Sequence, residues 1–198
     1  MNFVEIDNDL PQKEKCTLAL IIILFICFWA QFFFSERFVE SLMLAKFSFS
    51  QLISHQFIHV HSMHLIINIV LLYISGKIIE TRIGVWFFFP LFIIFGICGG
   101  ISHLTFSKII AAGASGGISG FIGLAFVLDF KNKVYFFDRK IILPVWLMGG
   151  FWFVKDLFFL MIPSMRTGPA AHLGAFVAGV VLGLIILGAK KSFAFDIS

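Results

Sequence analysis

Gly113-Ala114-Ser115-Gly116-Gly117-Ile118-Ser119-Gly120-Phe121-Ile122-Gly123 is a run of small residues opening a hydrophobic segment, and its spacing decides how the chain packs. Ser115, Ser119 and Gly123 recur every four residues, with Gly116 and Gly120 beside them, so a helix here carries one flat face. A second stripe, Ala171, Ala175, Gly179 and Gly183, recurs at the same interval in a later segment. Faces of this kind let helix backbones approach closely in lipid, so the two segments are expected to cross in contact.

The surrounding chain is built for that medium. Of its 198 residues 60% are hydrophobic, 28 are Phe and only 13% are charged, and the mean hydropathy is +1.01. Such a composition lies far from the soluble average and predicts an all-α polytopic membrane protein. A hydrocarbon core of ~30 Å needs roughly 20 apolar helical residues. Six spans are predicted, at about Thr17 to Phe34, Met63 to Ile79, Val85 to Leu104, Ala114 to Leu128, Ile141 to Ile162 and Ala170 to Ala189. They form one membrane domain, residues 17–189, between short tails at 1–16 and 190–198. The first apolar segment starts too late, runs too long and lacks the small-residue site of a cleaved signal peptide, so it is taken as the first span.

Charge orients the spans. With the N-terminus in the cytoplasm, the inner segments hold Lys13, Lys15, Lys77, Arg82, Lys131, Lys133, Arg139, Lys140, Lys190 and Lys191. The outer ones hold Arg37, Lys46, Lys108 and Arg166. The positive-inside bias therefore places both termini in the cytoplasm. The net charge of +4 reads as topology determinants, and no nucleic-acid partner is expected. Cys16, Cys27 and Cys98 read as packing thiols, without a disulfide framework.

In this orientation spans two, four and six run from outside to inside, so their first turns share one depth near the outer surface. His64 and Asn68, Ser115, and His172 lie in or near those turns. Polar groups in hydrocarbon are costly unless they pair or line a wet cavity, which makes each a functional candidate. Singly, each also has an ordinary role: Ser115 bonded to a preceding carbonyl, His172 or the His64/Asn68 pair bridging neighbouring helices. Together they suit acyl transfer. A serine hydroxyl needs a base within hydrogen-bond reach, and a neutral imidazole can take its proton and return it to a leaving amine. Ser115 and His172 supply that dyad. No aspartate is expected to orient the histidine, so a Ser-His-Asp triad is not predicted. The Ser115 and Ala114 backbone amides, the Asn68 amide and the His64 imidazole are candidate oxyanion donors.

Other polar residues have quieter readings. His55, His59 and His61 fit no strong metal-ligand spacing and read as loop hydrogen-bonding groups; no metal is expected. His103 reads as structural or interfacial. Glu80 and Arg82 are expected to pair or cap. Lys155 and Asp156, within span five, read as a snorkelling or locally paired couple.

His64-x-x-x-Asn68, Gly113-Ala114-Ser115-Gly116 and Ala171-His172 followed by Gly179, in the second, fourth and sixth spans, resemble the rhomboid intramembrane serine protease family, in its compact six-helix bacterial GlpG type. Ser54-His55-x-x-x-His59-x-x-x-x-His64 and Gly76-x-x-x-Glu80-x-Arg82-x-Gly84 add to the likeness, which runs from about Phe47 to Gly183. The resemblance implies hydrolysis of peptide bonds in or beside transmembrane segments of membrane proteins. It implies Ser115 as nucleophile, His172 as base, and His64 and Asn68 in the oxyanion hole. No organic cofactor is implied. It favours substrates with small residues at the cut, and it suggests a bacterial cytoplasmic (inner) membrane with the site open to its outer face. By the same resemblance, Lys155, Asp156 and the aromatics Phe151, Trp152, Phe153, Phe158 and Phe159 fall on a helix that acts as a substrate gate.

The chain departs from that pattern at named positions. Ser50-Gln51 stand in the first outer loop where the bacterial type has Trp-Arg. Ser119 replaces an aromatic that stacks on the histidine, and Ala175 replaces a glycine. Only the tail 1–16 precedes the first span. Two other classes remain open on sequence: a non-catalytic rhomboid-like binder of transmembrane helices, and a small transporter. The latter is disfavoured by the absence of an obvious repeat and by polar residues gathered at one depth.

Overall fold

The computed structural model describes residues 15–107, 109–136, 141–162 and 168–195. Lys13, Lys108, Arg139, Lys140 and Arg166, used above for orientation, lie outside them, as do residues 1–14 and 196–198.

Among the described residues the chain forms eight α-helices: α1 Lys15–Ala30, α2 Glu36–Leu42, α3 Phe49–Ser54, α4 Ser62–Ile83, α5 Val85–Phe106, α6 Ser115–Leu128, α7 Val145–Leu160 and α8 Pro169–Phe195. One-turn 3-10 segments, Gln31–Phe33 and His55–Phe57, follow α1 and α3. Four helical stretches are long and apolar enough to cross a membrane: Lys15–Phe33, Ser62–Ile83, Val85–Phe106 and Pro169–Ala189. Apolar α6 is shorter, 14 residues.

Among the described residues the architecture is helical apart from one hairpin and a single β-bridge between Leu44 and Ala111. Two strands, β1 Lys133–Phe136 and β2 Ile141–Pro144, pair antiparallel from Lys133 opposite Pro144 to Phe136 opposite Ile141. This corrects the fifth span, which was expected to be helical from Ile141. Proline biases its predecessor toward extended backbone and lacks the N–H that a helix interior uses. Accordingly Leu143 lies in the strand, and Pro144, at φ −62° and ψ 134°, both ends it and caps α7. The connection after α1 also holds α2 and α3, which the hydropathy did not predict. Gln51, at one of the departures noted above, pins that connection: its Oε1 accepts from Ala45 and Lys46 N–H (3.3 Å each) and its Nε2 donates to the Ser41 carbonyl (3.1 Å).

At the centre stands α6, where every residue from Gly116 to Ala125 is buried. Its small residues meet α8 backbone to backbone. A Cβ on Gly123 would lie 2.2 Å from the Phe176 carbonyl oxygen, and one on Gly179 would lie 2.1 Å from that of Gly120. The α8 stripe is shared between two neighbours. Gly179 and Gly183 meet α6, whereas Ala171 and Ala175 face Gly99 of α5. Phe92 and Phe95 of α5 fill the other side of α6, over Gly117 and Gly120.

Two carboxylates fasten the opposite end of the helices. Glu80 of α4 accepts the Cys16 N–H (2.8 Å), the Thr17 N–H (2.9 Å) and the Thr17 hydroxyl (2.8 Å), capping α1 where a helix leaves its first amides unpaired. Asp129, at the end of α6, accepts from Arg82 Nε (2.8 Å) and from Arg82 Nη2. Glu80 and Arg82 thus cap and pair as expected, each with a partner distant in sequence.

Candidate active site

The turn before α6 can be made only by glycine. Gly113 has φ +130°, its N–H donates to the His55 carbonyl (2.8 Å), and a Cβ there would fall 2.6 Å from His64 Cε1. This turn starts α6 at Ser115. The serine hydroxyl lies 2.9 Å from Nε2 of His172, in the first turn of α8. The Gly99 and Gly174 approaches bring α8 against α5, and Ser102 Oγ holds the Ala170 carbonyl (2.7 Å), fixing the start of α8.

On the other side of the histidine stands a residue the sequence reading did not place there. Both Asp156 carboxylate oxygens lie 3.1 Å from His172 Nδ1, and Asp156 is fully buried. The expectation that no aspartate reaches the histidine is corrected. Counting from Val145, Asp156 shares α7's buried face with Val145, Met148 and Gly149, because residues 3, 4, 7 and 11 positions apart align on a helix. Lys155 Nζ donates to Asp156 Oδ1 (2.7 Å), so the local pairing of these two was legible.

The aromatic missing at Ser119 comes from α7 instead. The Trp152 ring packs on His172 with centroids 5.5 Å apart and planes at 38°. Its Nε1 donates to Ser119 Oγ (2.9 Å), and that hydroxyl donates to the Ser115 carbonyl (2.7 Å). A phenyl side chain at 119 could not accept this bond.

His64 and Asn68, one turn apart on α4, converge on Gly113: a Cβ there would lie 2.9 Å from His64 Nε2 and 3.6 Å from Asn68 Nδ2. Asn68 is buried and its Nδ2 has no hydrogen-bond partner among the described residues, so a donor is held beside the Gly113 turn. The Ser115 N–H, at the head of α6, is among the amides a helix leaves free. The Ala114 N–H is directed at His59 Nε2 (3.5 Å).

The remaining histidines are loop-bonding groups. His55 Nδ1 pairs with the Gln51 carbonyl (2.7 Å), His61 Nδ1 accepts from the His64 N–H (3.0 Å) and His103 Nε2 pairs with the Ile109 carbonyl (2.6 Å). Among the described residues no three His, Cys, Asp or Glu side chains are grouped to hold a metal ion. Burial pushes both the His55 and the His59 imidazoles down to about 4, with His64 reinforcing the effect on His59. The unfolded chain would take up protons near pH 6.5, the folded chain only near 4, so stability falls as pH drops through that window. Each histidine contributes on the order of 3 kcal/mol across it. Unfolding in mild detergent at pH 7 and pH 4.5 is expected to show this loss, with His59→Gln reducing it; identical stability at both values would contradict it.

The rhomboid domain family model matches residues 46–189 of the chain. The chain belongs to the rhomboid family. Among rhomboid relatives, it is 25% identical to the rhomboid protease GlpG of Haemophilus influenzae over 185 residues, covering 90% of this chain and 94% of that protein. It is 26% identical to the rhomboid protease GluP of Bacillus subtilis over 159 residues, 79% of this chain but 29% of GluP. Against GlpG of Serratia proteamaculans the identity is 28% over 136 residues, 68% of this chain and 45% of that protein. The match thus spans nearly all of one of these relatives and less than half of the other two. The matched region contains His64, Asn68, Ser115, Asp156 and His172, and this all-α rhomboid is a membrane protein.

Proposed function

We propose that the chain is an intramembrane serine endopeptidase that cleaves peptide bonds in or next to transmembrane segments of other membrane proteins. The observation that carries this reading is the 2.9 Å contact between Ser115 Oγ and His172 Nε2, made by residues from two helices beside an Asn68 Nδ2 that has no hydrogen-bond partner among the described residues.

Ser115 Oγ attacks the scissile carbonyl carbon while its proton passes to His172 Nε2. The C=O becomes a tetrahedral oxyanion, which accepts hydrogen bonds from the Ser115 N–H, Asn68 Nδ2 and the His64 imidazole. The Ala114 N–H joins them on release from His59. His172 then gives its proton to the leaving nitrogen, the C–N bond breaks, and an ester to Ser115 remains. Water attacks that ester as His172 takes its proton. The C–O bond to Ser115 breaks, the proton returns to Oγ, and the acid product leaves.

In this reading α1, α4, α5, α6, α7 and α8 are six membrane spans, residues 17–189 form the membrane domain, and the segments 1–16 and 190–198 face the cytoplasm. Lys77, Arg82, Lys131 and Lys133 at inner joins support that orientation. The site opens to the outer face of a bacterial cytoplasmic membrane, and its partners are transmembrane substrates and the lipid around them.

A fluorophosphonate probe tests the assignment, since it phosphonylates only an activated serine. Wild type in bilayers is expected to label and Ser115→Ala not to. His64→Ala and Asn68→Ala should each label roughly 10- to 1000-fold more slowly, the loss of one oxyanion donor. Labelling that persists in Ser115→Ala, or its absence in wild type in both detergent and bilayers, overturns the reading.

A further inference from the structure

We propose that Asp156 is a positioning residue for His172, so that α7 completes a Ser115–His172–Asp156 triad in this rhomboid. The inference rests on the protease reading above and extends it beyond a two-residue site.

For His172 to accept the serine proton, Nε2 must be bare and Nδ1 must carry the hydrogen. An ionised carboxylate only accepts hydrogen bonds. With both its oxygens 3.1 Å from Nδ1, Asp156 selects that tautomer and faces the Nδ1–H symmetrically. When the imidazole gains the Ser115 proton, the carboxylate beside it stabilises the resulting cation.

The competing account is that Asp156 exists only to neutralise Lys155. Geometry favours the opposite order. Adjacent residues on a helix do not face each other; Asp156 lies on the buried face, 0% exposed. Lys155 is drawn to it, its Nζ lying 3.9 Å above the Trp152 ring and 2.7 Å from Asp156 Oδ1. A buried carboxylate without compensation is destabilising, and Lys155, with 22% of its side chain exposed, supplies the compensating charge from the rim. Trp152, one turn before Asp156 on the same helix, fixes the plane of the imidazole while Asp156 fixes its tautomer. Both restraints on the base therefore come from α7, whereas the nucleophile comes from α6.

The test uses full-length protein in detergent and bilayers, with Ser115→Ala, Asp156→Asn and Asp156→Glu, and three readouts. These are the fluorophosphonate labelling rate, kcat and KM on a transmembrane peptide substrate, and the 15N-histidine spectrum of His172. Asp156→Asn is expected to lower labelling and kcat by roughly 10²- to 10⁴-fold with KM within about twofold, and Asp156→Glu to recover part of the loss. Wild type and Ser115→Ala should both show His172 protonated on Nδ1, and Asp156→Asn should lose that signature. Wild-type rates in Asp156→Asn, or an Nε2-protonated His172 in the wild type itself, overturn the proposal whether or not the variants fold. Absence of Ser115-dependent labelling in wild type instead overturns the protease reading, and the role of Asp156 with it.

Discussion

Ser115→Ala is expected to reduce cleavage of a transmembrane substrate by at least about 10⁴-fold, and His172→Ala to reach the same floor. The two residues act as one unit through the Oγ to Nε2 contact of 2.9 Å, so the double variant should be no worse than either single one. The fold should survive the serine change. Removing one hydroxyl at the head of α6 leaves the buried run from Gly116 to Ala125 and its contacts with α8 intact. Cleavage in proteoliposomes, measured beside helical content and thermal unfolding, separates the two effects. Retained turnover in either single variant would remove Ser115 and His172 from the mechanism.

The second large effect involves no reacting atom. Gly179→Ala is expected to destabilise the protein by about 4 kcal/mol or more, among the exceptional values for a single substitution. The new methyl would sit 2.1 Å from the Gly120 carbonyl oxygen and 2.8 Å from the Leu124 nitrogen. Both are backbone atoms of a helix, which no rotamer change can move aside, so α6 and α8 must separate. His172 lies seven residues earlier on α8, ~10 Å along its axis. Displacing α8 therefore draws the base away from Ser115, and labelling falls with stability. Gly188→Ala is the control: nothing lies within 4 Å of a Cβ there, and the change should be neutral or up to about 1 kcal/mol stabilising through helix propensity. Reversible unfolding in mixed detergent micelles measures both; equal stabilities would refute the packing account.

The site was legible where cost made residues conspicuous. A serine and two histidines in an apolar chain stand out because lipid offers them no partners, and the expected orientation assigned Ser115, His172, His64 and Asn68 to one depth. Asp156 was equally conspicuous but was read with its neighbour Lys155, as a pair that satisfied itself. That Asp156 points inward follows from how α7 packs, which a single sequence does not display, and the start of α7 was misread as well. Ile141-Ile142-Leu143 is an apolar run whose periodicity does not separate strand from buried helix; the hairpin and Pro144 moved the helix start to Val145. Trp152 was beyond reach for a different reason. Its contacts with His172 and Ser119 join three helices, and such pairings depend on packing that a single sequence does not display. The small-residue stripes did forecast that α6 and α8 touch, though they did not divide α8 between α6 and α5.

The Glu80 cap also sets a schedule. It joins α1 to a carboxylate 63 positions later in the chain, and at about 5–20 residues per second of synthesis roughly 3–13 s pass between making the two. Throughout that interval the leading amides of α1 depend on water, so its first turn stays at the aqueous boundary until α4 arrives. The start of α1 is thus locked only once α4 has been made, and a ribosome stalled before Glu80 would hold an α1 still free to slide.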